Sequence, residues 1–183
     1  LLYEPYAAQD GRIYLITETA VVCISMKGTV KWRFTLPATP VRQACETGTA
    51  AIVLELADKT LLTVSHTGML LRQTALHEPI AAITGAPDGC ITGSADGTLT
   101  YALMAPYRSA TVWQTQEDPP LALYRTAHTV LCLYADGTVS LRDIQYNTVL
   151  WAAQLDSPLS QPLRCQKYGN TYALTAEGFA AVV

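Results

Sequence analysis

Apolar residues fall in short runs along this chain, and turn-forming residues such as Gly, Asp, Thr and Pro separate the runs. The runs are rich in β-branched and aromatic residues, the types that suit a pleated, half-buried backbone. No segment sustains the period of about 3.6 residues that an amphipathic helix needs. Asp96-Gly97 and Asp136-Gly137 stand between two such runs, and Asp and Gly tolerate the positive φ of a hairpin turn. In the first unit the pattern predicts strands over Tyr6–Gln9, Ile13–Thr17, Ala20–Ser25 and Thr29–Leu36, with Met26-Lys27-Gly28 turning the third into the fourth. The runs Ala51-Ile52-Val53-Leu54 and Val130-Leu131-Cys132-Leu133 are apolar at every position. A strand of that kind has to be covered on both faces.

The pattern repeats. Ala95-Asp96-Gly97-Thr98-Leu99 returns as Ala135-Asp136-Gly137-Thr138-Val139, with looser copies at Thr17–Val21, Ala57–Leu61 and Ala176–Ala180. The residue after the turn falls at 20, 60, 98, 138 and 179, so the spacing runs from 38 to 41. Trp32, Trp113 and Trp151 keep the same clock, and the copy missing between the first two falls at Leu70-Leu71-Arg72. Pro40, Pro79, Pro119 or Pro120, and Pro158 mark the joints. Three unrelated markers sharing one period define a repeat architecture.

Four short strands in each repeat of about 40 residues is the signature of a β-propeller blade. A sandwich needs no such repeat, and a solenoid of helix pairs needs helical spacing. The expected fold is therefore all-β: one propeller region over 1–183, of four-stranded antiparallel blades near 1–39, 40–79, 80–118 and 119–158, with an incomplete one at 159–183. Neighbouring blades stack face to face, and the recurrent Trp is expected to fill the space between adjacent outer strands. The fifth unit shows three of its four strands. It reads as part of a larger propeller, or as a small ring whose last outer strand is Leu1–Glu4.

Composition narrows the function. Half of the 183 residues are hydrophobic (50%) and 15% are charged, which gives an ordered chain with a sizeable core. The net charge of −3 offers no basic face, so nucleic acid is not an expected partner. No run of about 18 uncharged apolar residues suits a membrane-spanning helix, which leaves any membrane anchoring outside this segment. The chain opens on Leu1 without a signal-peptide pattern, as a processed product or part of something longer would. Cys23, Cys45, Cys90, Cys132 and Cys165 lie in strand-like surroundings without metal-ligand spacing and read as small buried hydrophobes.

The segment Asp10–Phe34, and Lys27-Gly28-Thr29-Val30-Lys31-Trp32 within it, resembles the PQQ-like (quinoprotein-like) propeller repeat. Thr67-Gly68 in the second unit and the Asp-Gly-Thr turns of the third and fourth extend the likeness over nearly the whole chain, and those turns shade into WD-type repeats. The resemblance has two branches. Quinone-dependent dehydrogenases carry vicinal cysteines and a Ca²⁺ site with a catalytic Asp, and no two cysteines are adjacent here. The BamB-like branch consists of non-catalytic scaffolds that hold protein partners and help assemble outer-membrane proteins. It implies a protein partner, no cofactor, and a bacterial periplasmic or cell-envelope location, often as a lipoprotein.

Candidate chemistry is sparse. His66, His77 and His128 lie in turns or strand joints and none has an i,i+4 partner. His77-Glu78 does not continue into a metalloprotease motif, and Gly93-Ser94-Ala95 lacks the flanking glycine of a nucleophile elbow. Asp58, Asp96 and Asp136 recur with the blade, as turn-making residues do. Two turns between third and fourth strands are longer than Lys27-Gly28 and carry aromatic residues: Tyr107-Arg108 and Tyr146-Asn147. Tyr is enriched at binding surfaces, so these four residues are the expected partner-binding loops. The expectation is a non-catalytic interaction scaffold. The alternatives are a small-ligand or quinoprotein-type enzyme using the central channel, or a sensor module of a longer chain.

Overall fold

A computed structural model of the chain describes residues 5–8, 11–42, 45–46, 51–86, 89–103, 111–126, 128–161, 166–167, 170–175 and 178–182. Blade one contains β1 (Tyr6–Ala7), β2 (Arg12–Ile16), β3 (Ala20–Ser25) and β4 (Val30–Thr35). Blade two contains β5 (Cys45–Glu46), β6 (Ile52–Glu55), β7 (Thr60–Val64) and β8 (Leu70–Ala75). Blade three contains β9 (Ile80–Ala86), β10 (Gly89–Ser94), β11 (Thr98–Leu103) and β12 (Thr111–Gln116). Blade four contains β13 (Pro120–Thr126), β14 (Thr129–Tyr134), β15 (Thr138–Asp143) and β16 (Val149–Gln154). Each is an antiparallel meander with its strands in sequence order. In the fifth sheet β17 (Leu159–Gln161) and β18 (Gln166–Lys167) pair with one edge of β19 (Asn170–Thr175), and β20 (Gly178–Val182) pairs with it as well. The chain is a β-propeller built of four-stranded blades, as the repeat predicts.

The turns show why Asp and Gly recur. The Thr98 amide donates to Asp96 Oδ1 at 2.9 Å, and the Thr138 amide donates to Asp136 Oδ1 at 2.8 Å. Those amide hydrogen bonds hold both carboxyl groups below the usual carboxylate range. Gly97 has φ 87°, and a Cβ there would lie 1.7 Å from the Glu117 carbonyl oxygen, so both conformation and space demand glycine. Asp58 caps the matching turn of blade two through the Thr60 amide at 3.1 Å, and Lys59 takes the left-handed position with φ 60°.

Strand register divides each blade into two faces. One faces the following blade: Tyr14, Cys23 and Trp32 are cross-strand partners in blade one, Ile91, Tyr101 and Trp113 in blade three, and Leu131, Leu141 and Trp151 in blade four. The other faces the preceding blade. In blade two it presents Ile52 opposite Val64 and Leu54 opposite Leu62, all fully buried against Tyr14, Ile16 and Cys23. The matching four in blade four are Val130 opposite Arg142 and Cys132 opposite Ser140, all buried. The gap between blades one and two is thus filled by apolar side chains, whereas the gap between blades three and four also takes in Arg142 and Ser140. Burying each large side chain contributes about 1.5–3 kcal/mol before conformational entropy is subtracted.

Candidate functional site

Trp32 and Trp113 are interblade pegs. Trp32 Nε1 donates to the carbonyl of His66, in the turn between β7 and β8, at 2.8 Å, and Arg12 Nη1 donates to the same oxygen at 2.8 Å. The indole lies on Gly68, where a Cβ would come within 2.8 Å of it. Trp113 repeats the device, donating to the Ile144 carbonyl of blade four at 2.7 Å. Arg72 occupies the Trp position of blade two: it pairs with Thr63 as Trp32 pairs with Cys23, and its Nη1 reaches the Leu103 carbonyl of blade three at 3.1 Å. The gap in the Trp clock is therefore a substitution of one donor by another. Filling between outer strands, expected from sequence, is joined by a directed hydrogen bond.

Trp32 and Trp113 thus hold the turns between third and fourth strands of blades two and four, at one end of the blades. In blade four the turn is also fixed from within. Asp143 Oδ1 accepts the amides of Gln145 at 2.8 Å and Tyr146 at 2.9 Å, an Asx turn. Asn147 follows at φ 54°, and its Oδ1 accepts from Arg142 Nη1 at 3.0 Å. Arg142, only 7% exposed, forms an ion pair across the blade gap with Glu117, which follows β12. The Tyr134 hydroxyl donates to the other oxygen of Glu117. Burial raises the Tyr134 phenol above its ordinary value and pushes the neighbouring Cys132 thiol up to about 11.

The result is a rigid turn that presents one aromatic side chain: Tyr146 is 70% exposed. Val149 and Leu150, at the start of β16, are exposed beside it. Met26 (75% exposed) and Met69 (67%) occupy the matching turns of blades one and two, followed by exposed Val30 and Leu70. Apolar side chains thus recur along one rim, and an edge strand with exposed apolar side chains is a surface that other chains can meet.

Of the four expected loop residues, Tyr146 and Asn147 stand together on this rim, Tyr146 outward and Asn147 as part of its support. Tyr107 and Arg108 lie outside the described residues. Sequence reasoning missed Glu117 and Arg142, which join strands of different blades. His66, His77 and His128 are exposed, in the turn between β7 and β8, the joint between β8 and β9, and the turn between β13 and β14, and it is the backbone of His66 that serves a structural role. Cys23, Cys90 and Cys132 are free and buried, and burial pushes the Cys90 thiol up to about 12. Cys45 and Cys165 carry no described side chain. Among the described residues no three His, Cys, Asp or Glu gather as a metal site. No helix of the described residues is long and apolar enough to cross a membrane.

Comparison with known proteins agrees on the fold. The chain superposes on BamB from Moraxella catarrhalis with a TM-score of 0.72 at 16% identity, over 98% of this chain and 56% of that one. It superposes on BBS1N, solved in complex with ARL6DN, with a TM-score of 0.75 at 11% identity, over 96% of this chain and 62% of that one. The chain therefore spans about three-fifths of each of those chains. No protein-family model matches the sequence, and no curated protein matches it.

Proposed function

We propose that this propeller is a non-catalytic scaffold that holds a protein partner on the rim formed by the turns between third and fourth strands. The observation that carries the reading is the rigid presentation of Tyr146, with Val149 and Leu150 beside it, by a turn braced at Asp143, Asn147, Arg142 and Trp113. A side chain presented by an already ordered turn loses little entropy on binding, and exposed aromatics are the usual anchors of interfaces. One of the similar folds was solved holding a protein, as BBS1N holds ARL6DN. The finer reading, from the Lys27-to-Trp32 repeat and the likeness to BamB, is a BamB-like role in outer-membrane protein assembly in the bacterial cell envelope. Site-specific photocrosslinking in the native host tests the rim. A crosslinker at position 146 should capture a defined protein that one at position 136, at the opposite blade end, does not. Equal capture at both positions, or none at 146, overturns the proposal.

A further inference from the structure

Blade one carries a face with no neighbour among the described residues. Ile13 pairs with Ile24, and Leu15 pairs with Val22. These are the register positions of Ile52, Val64, Leu54 and Leu62 in blade two, and of Val130, Arg142, Cys132 and Ser140 in blade four. There a preceding blade buries all of them. In blade one the four are apolar and only half-buried. Four apolar residues on two paired strands, in the register that a blade covers elsewhere in the same molecule, form a docking surface for a blade.

A second feature of blade one points to the same occupant. The turn Ser25–Val30 repeats Ser65–Leu70 in detail. The Gly28 amide donates to the Ser25 carbonyl at 2.8 Å and the Gly68 amide to the Ser65 carbonyl at 3.0 Å. Likewise Ser25 Oγ accepts the Thr29 amide and Ser65 Oγ accepts the Met69 amide. Gly68 is covered by the Trp32 indole, which donates to the His66 carbonyl. Gly28, at φ 76°, has nothing within 4 Å of a Cβ position, and the matching Met26 carbonyl has no acceptor role among the described residues. Blade one thus carries an open seat for a peg.

We infer that a further blade of the same polypeptide, outside residues 1–183, packs on Ile13, Leu15, Val22 and Ile24. Its outer strand brings a donor side chain, an indole or a guanidinium, over Gly28 to the Met26 carbonyl. Every interblade gap described here joins sequential units of one chain, and the similar propeller chains are longer than this one, which covers 56% and 62% of them. That continuity selects the same polypeptide over a second copy. The inference rests on register and is independent of the proposed partner rim.

Thiol labelling of the full-length polypeptide tests it. Val22→Cys is close to isosteric, and Leu15→Cys provides a second site. Both should label as slowly as cysteines placed at Leu54 or Leu62, and at least 100-fold more slowly than one at the exposed Thr19. Labelling of positions 15 and 22 at the Thr19 rate overturns the inference. Protection that appears only as protein concentration rises also overturns it, by assigning the face to a second copy.

Discussion

The gap between blades one and two and the gap between blades three and four use the same register but different chemistry. Blade two offers Ile52, Val64, Leu54 and Leu62 to its neighbour, all hydrocarbon. Blade four offers Val130, Arg142, Cys132 and Ser140 at the matching positions, and Arg142 reaches back to Glu117 of the preceding blade. The backbone lattice accepts either set, so the register carries the fold and the side chains tune each joint. The apolar gap gains from burial alone. The polar gap gains less from each side chain and instead fixes geometry, because a buried guanidinium paired to a partly exposed carboxylate tolerates few arrangements. That geometry is spent on the Tyr146 turn, which Arg142 supports through Asn147.

The comparison is broken most forcefully at the polar gap. Glu117→Ala leaves the Arg142 guanidinium buried without its counter-charge and should cost about 3–5 kcal/mol in urea unfolding. Replacing both residues together, Glu117→Met with Arg142→Met, should recover most of that loss, since neither charge then remains to be solvated. In the apolar gap, Leu62→Ala should cost about 3 kcal/mol, the middle of the range for a large-to-small change in a packed core. It should leave the near-ultraviolet signal of the blade-four tyrosines unchanged. Trp113→Phe keeps most of the packing and removes the hydrogen bond to Ile144, which should cost about 1 kcal/mol in the same measurement.

Much of this architecture was legible in the sequence because a repeat multiplies weak signals. One Asp-Gly turn is a hairpin hint, whereas five turn markers 38 to 41 residues apart are a blade count. The strands of blade one were readable to within two residues: the fourth, expected over Thr29–Leu36, is Val30–Thr35. Leu36 falls outside because its amide turns to the Thr19 carbonyl at 2.8 Å. The Arg72 peg was legible only as a gap, since a guanidinium and an indole share a donor and little else. The Glu117–Arg142 pair was not legible at all. It is made once, between residues whose proximity depends on how two blades stack, and no period points to it. Tyr146 was identifiable from turn length and residue type, but its bracing by Asp143 and Asn147 required the backbone.

The central claim is that successive blades bury their inner strands between them and leave the outer ones at the rim. Amide hydrogen exchange followed by mass spectrometry tests it most directly. Peptides covering β6 and β14 should be the slowest to exchange, and peptides covering β4, β8, β12 and β16, each the last strand of its sheet among the described residues, should exchange at least tenfold faster. Protection should therefore rise and fall with a period of about 40 residues, in step with the repeat. Outer strands around Trp32 and Trp151 protected as strongly as Ile52–Glu55, or protection without that period, would contradict the account.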